Sequence, residues 1–202
     1  MSEPAPREFD FALLVSGVAA ALRYMTTAVH TQPSQCILSD PVLDERREPL
    51  GEDPLEFFSD SSAQFKTAPT VAFRSIVFDL SVGFDLTPAE LITAYFHFEH
   101  VIRRTGVKAV PFYVMRPLFA SCVALAVKTL DDSAITIVEI SEVLTEMGYR
   151  ASPSRVAHME RALLDALEFD INSCTVPTYW IYADALVNEG VALQPRTHSE
   201  AG

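Results

Sequence analysis

The sequence predicts an all-helical protein, and three observations carry that prediction. Apolar residues recur at helical spacing in segment after segment. Starts and stops are marked by caps, by proline in a first turn and by glycine just past an end. The segment 113–130 is apolar on nearly every side, as a central helix surrounded by others must be.

Length and charge narrow the classes of function. A chain of 202 residues with 49% apolar residues and 13 phenylalanines can close a core, and its length suits one folded domain with extra segments. The formal charge of −12 removes the phosphate neutralisation on which nucleic-acid binding depends, so no nucleic-acid partner is expected. Cys36, Cys122 and Cys174 are far apart and form no C-x-x-C pair. They read as reduced thiols of an intracellular protein, cytoplasmic or nuclear. The apolar run from Phe11 to Leu22 follows an acidic flank of Glu3, Glu8 and Asp10. It is too short to span a bilayer, and neither a secretory signal nor a membrane partner is expected.

Residues 9–29 read as a helix within an N-terminal unit 1–30, with Phe11, Leu14, Val15, Val18, Leu22 and Met25 on one stripe. Residues 31–69 carry Pro33, Pro41, Pro49, Pro54 and Pro69, and the part from 38 to 60 sets eight acids against Arg46 and Arg47. Such a composition cannot bury enough apolar area to offset its ordering entropy, so this stretch reads as a linker or mobile insertion.

Five helices follow in 70–175. The first covers about 71–82 and stops near Gly83. The second opens at Thr87-Pro88-Ala89-Glu90, a capping box with proline in the first turn, and runs to Arg104. The third is the central segment 113–130. Pro117 must lie in its first turn, because deeper inside it deletes a hydrogen bond, and this moves the expected start to about Met115. The fourth, 134–147, shows Ile140, Val143, Leu144 and Met147 on one face and ends at Gly148. The fifth opens at the cap Ser152-Pro153 with a stripe of Val156, Met159, Leu163 and Leu167. A short helix from Tyr179 to Val187 and a tail occupy 176–202.

Two of these helices carry recognisable motifs. Arg116-Pro117-Leu118, through Leu125-Ala126-Val127-Lys128 to Asp131-Asp132, resembles the third helix of a cyclin box, whose pattern runs from R-L through L-A-x-K to an acidic pair. Met159-Glu160 through Leu163 and Leu167 to Phe169 is similar to the fifth cyclin helix, L-E-x-x-x-L-x-x-L-x-F. Phe73-Arg74-Ser75-Ile76-Val77-Phe78-Asp79 resembles the first-helix segment, and Tyr95 to His100 falls at the family's Y-I-D-R position. The R-L start and the double aspartate are closest to the single-box cyclins of the phosphate-pathway type.

The resemblance implies a five-helix cyclin box with an additional N-terminal helix and a short C-terminal helix. It also implies a regulatory subunit that binds and activates a cyclin-dependent protein kinase and is not itself an enzyme. Lys128 and Glu160 take the places of the lysine and glutamate that reach the kinase's mobile helix, and Asp131 and Asp132 join the partner-binding set. Arg74 and Glu99 are the expected structural ion pair. Leu80 stands where substrate-docking cyclins have tryptophan and Gly83 where they have an acid, so docking by that route is not expected. A cyclin-fold adaptor that binds proteins without touching a kinase is the alternative.

Plainer readings stand beside these. A lysine near a helix carboxyl end meets the helix dipole, and Glu160 could pair locally with His158 or Arg161. His97 and His100 share a helix face, but the surrounding pattern fits no metal motif, so no metal, cofactor or small-molecule ligand is expected. Ser152-Pro153-Ser154-Arg155 resembles a proline-directed phosphosite, with Ser152 as acceptor, but reads more readily as a plain N-cap before proline.

Overall fold

The computed structural model describes residues 9–27, 70–105, 110–131, 135–149 and 151–194. The proline-rich acidic stretch 31–69, read above as a linker, lies outside them, as does Asp132. The described residues contain seven helices: α1 (Phe11–Met25), α2 (Thr70–Gly83), α3 (Pro88–Thr105), α4 (Phe112–Leu130), α5 (Ile137–Glu146), α6 (Pro153–Ala166) and α7 (Val176–Ala192). Two-residue strands β1 (Thr26–Thr27) and β2 (Val110–Pro111) pair in parallel, with Thr26 opposite Val110. The fold is all-α.

Each helix starts where its cap allows. Asp10 accepts from the Ala12 and Leu13 amides at 2.9 and 3.3 Å and opens α1. Four residues short of the expected end, the chain turns extended at Thr26 to enter β1. Thr87 and Glu90 form the predicted capping box, the Thr87 amide donating to the Glu90 carboxylate at 2.6 Å and the Glu90 amide to the Thr87 hydroxyl at 3.3 Å. Thr136 and Glu139 form a second box, which starts α5 at Ile137 rather than at residue 134. Gly148 ends that region with φ of +80°, a conformation that glycine adopts without strain.

Helix α4 is the buried centre, with Met115, Phe119, Cys122, Val123 and Ala126 fully inaccessible. It lies mainly against α3, where Phe98 meets Phe119 edge to face at 5.9 Å. Such a pair adds about 1 kcal/mol beyond the area it buries. The expected start near Met115 is corrected: the helix begins at Phe112, directly after β2, and Pro117 lies inside it. The pairing of β2 with β1 fixes where the chain enters, so the helix absorbs the proline and forgoes one backbone bond, from position 117 to the Tyr113 carbonyl.

The C-terminal helix is longer than expected. It runs for 17 residues from Val176 rather than from Tyr179 to Val187, with Pro177 in its first turn. Its main contact is α1, and α1 also packs on α2. Gly17 and Gly190 set the α1–α7 crossing: a Cβ at Gly17 would overlap the Leu186 carbonyl, and one at Gly190 the Leu13 carbonyl. Backbone therefore lies on backbone. Helices α2 to α6 form the five-helix unit, and α1 with α7 braces it along one side.

A candidate partner-binding groove between α4 and α6

Six α4 residues share one face by helical spacing: Pro117, Ala120, Ser121, Ala124, Leu125 and Lys128. They form one side and the floor of a surface groove. Ile140 and Leu144 of α5, and Val156, Met159 and Glu160 of α6, form the other side. The small side chains at 120, 121 and 124 hold the floor low, while the larger apolar residues raise the opposite wall.

Lys128 stands in the last turn of α4, where a cation suits the helix dipole. Its ammonium meets both oxygens of Glu160, at 2.8 and 2.6 Å. The two side chains keep 20% and 24% of their exposure, so the pair is half-buried at the groove's edge. Glu160 thus pairs across helices with Lys128. Asp131 is exposed just past the end of α4, its amide donating to the Val127 carbonyl at 2.9 Å.

At the other end of the groove lies Tyr149, in the connection between α5 and α6. The guanidinium carbon of Arg116 stands 4.1 Å from the centre of its ring, and Arg116 donates to the Met147 carbonyl at 3.3 Å. Burial pushes the Tyr149 phenol up, with the Arg116 charge pulling the other way. Sequence reasoning missed Tyr149. The signal available was a lone aromatic just after Gly148.

Other expected residues fall elsewhere. The pairing of Arg74 with Glu99 is corrected: Glu99 takes Arg103 on its own helix at 2.5 Å. Arg74 is exposed on α2. A partner one turn away needs no fit between two helices, and Arg103 has that advantage. Leu80 is buried, and the Gly83 position faces Met147 and Val143. Ser152 caps α6, accepting from the Arg155 amide at 3.4 Å, and is exposed. His97 is fully buried, and neither ring nitrogen has a hydrogen-bond partner among the described residues. Desolvation, with His100 adding to it, lowers its pKa to about 4. Among the described residues no group of three or more His, Cys, Asp or Glu side chains could hold a metal, and no helix is long and apolar enough to cross a membrane.

The family model for the cyclin N-terminal domain matches residues 64–172. The chain belongs to the cyclin family. The matched span takes in α2 to α6 of this cyclin and with them both walls of the groove. Helix α1 lies outside the match, and so does α7. Comparison with curated proteins and with solved structures gives no match.

Proposed function

We propose that this cyclin binds and activates a cyclin-dependent protein kinase, and that the kinase's mobile helix lies against α4 and α6 around Lys128 and Glu160. The observation that carries the reading is the half-buried ion pair at the edge of an apolar groove. An ammonium has three donors and a carboxylate about four acceptor sites, so the pair can take further backbone groups without dissociating. Charged groups aimed at backbone in a desolvated interface make strong, oriented bonds. Binding the active arrangement of the kinase more tightly than the inactive one shifts the kinase towards activity.

Family membership supports the role of regulator rather than enzyme. Arg116, Asp131 and Asp132 support the phosphate-pathway type, with the acidic pair joining the contact. An intracellular setting, cytoplasmic or nuclear, follows from a kinase partner.

The test is to recover the full chain from cells, identify co-purifying kinases and measure affinity for the one found. Lys128→Ala with Glu160→Ala is expected to weaken it by about 3 kcal/mol, more than 100-fold. The same double change is expected to cost folding only about 1 kcal/mol, since both charges are removed together and neither is left buried without its partner. A kinase that binds the double variant at full strength refutes the reading. A protein partner other than a kinase that tolerates both changes establishes the adaptor alternative instead.

A further inference from the structure

The stretch between Lys128 and Glu160 includes a connection from α5 to α6 that is held on three sides. Arg116 binds its start, at the Met147 carbonyl. The Tyr149 amide donates back to the Leu144 carbonyl at 2.9 Å. The buried Ser141 hydroxyl donates to the Ala151 carbonyl. Gly148 supplies the positive φ that the turn needs, with nothing within 4 Å of where a Cβ would stand. The glycine and the Tyr149 amide bond close the end of α5 as helix ends commonly do, and the Arg116 and Ser141 bonds tie the rest of the connection to α4 and to the body of α5.

What the restraints fix in place is the Tyr149 ring. Arg116 stacks on it, and the ring lines the same groove as the ion pair. Arg116 precedes Lys128 by just over three helical turns, roughly 18 Å of rise along α4, so the two backbone positions lie at opposite ends of the groove. The groove therefore has an ionic end and an aromatic end, with a small-residue floor between them. An aromatic side chain already ordered by its own fold offers contact area at low entropic cost.

We infer that Tyr149 is a partner-contacting residue that closes the groove at the end opposite the ion pair, and that Arg116 is the positioning residue that holds it there. The inference rests on the kinase reading above and adds the second anchor. The ion pair receives polar groups of the kinase segment, and the Tyr149 ring receives an apolar side chain from that segment's other end. Arg116 acts through Tyr149 and does not itself touch the partner.

The test uses the full chain and the kinase recovered with it. A photo-crosslinking benzoylphenylalanine at position 149 is expected to crosslink to the kinase, whereas one at the exposed Asp184 on α7 is not. A purely structural tyrosine gives no such product. Tyr149→Ala is expected to weaken binding roughly 10-fold, and Tyr149→Phe to restore it. Arg116→Lys keeps the charge but loses the planar stack, and it should weaken binding by a similar factor. The double variant Arg116→Lys with Tyr149→Ala should be no weaker than Tyr149→Ala alone, because both changes remove one contact. Thermal unfolding of each variant separates lost affinity from lost fold. No crosslink at 149, or full affinity in Tyr149→Ala while the Lys128 and Glu160 double variant has lost binding, overturns this inference and leaves the kinase reading intact. Failure to find any kinase overturns both.

Discussion

Gly17 and Gly190 face each other's helices so closely that each leaves room for the other's backbone and for nothing more. Extra carbon at either position meets a carbonyl, not the movable end of a side chain. The two helices must then separate, and the apolar contacts on both sides of the crossing loosen with them.

Gly17→Ala and Gly190→Ala are each expected to destabilise the fold by about 2–3 kcal/mol, despite alanine's better helix propensity. Denaturant midpoints check this. The double variant should cost less than the sum, because once α1 has moved away the second methyl has space.

His97 is expected to make stability depend on pH over a definite window. In the unfolded chain its imidazole titrates near 6.5, and in the fold near 4. Below 6.5 the unfolded state holds the extra proton, so stability falls as pH drops from about 6.5 to about 4 and is unaffected by this group above 6.5. A gap of that size is worth about 3 kcal/mol at the acid end. The groups that act on it are His100 on its own helix, which opposes protonation, and Asp170 after α6, which favours it. Urea titrations of wild type and His97→Phe across this range check the prediction: wild-type stability should rise relative to the variant by about 3 kcal/mol between pH 4 and 6.5.

Ser152 is expected to work as a cap and, if phosphorylated, as a stronger one. Ser152→Ala should cost about 1 kcal/mol, while Ser152→Asp keeps an acceptor and adds a charge suited to the helix start. Thermal unfolding of the two variants, and of protein treated with a proline-directed kinase, checks the order: alanine lowest, serine next, aspartate and phosphoserine at or above it.

Signals confined to a few neighbouring residues were legible in the sequence. Thr87 with Glu90, Ser152 with Pro153, and Gly148 after α5 are bonding problems solved within one turn, and the structure solves them as read. The all-apolar character of 113–130 also identified the central helix. Helix periodicity shows that a face is buried but does not say what buries it. The α1–α7 contact and the true length of α7 were therefore missed, since Thr175-Val176-Pro177 reads as a turn until its helix is seen. Pro117 was misplaced because a local rule about proline competes with the β1–β2 contact, which no local pattern reveals. Glu99 had two arginines to choose from, and family analogy favoured the more distant one. At the candidate site, Lys128 and Glu160 were found by motif, whereas Tyr149 has no motif and depends on a cation from another helix.

Among the described helices, α1 is synthesised first and α7 last, yet each forms the other's cover. Contacts between such distant parts of a chain close late and slow the search for the native state. Until α7 has left the ribosome, the stripe of Leu14, Val15, Val18 and Leu22 lacks the helix it packs on most extensively. The α1–α7 interface of this cyclin therefore cannot form before its last described helix has been made. A nascent or truncated product without that helix would display an apolar surface of the kind that chaperones hold and that neighbouring chains aggregate upon.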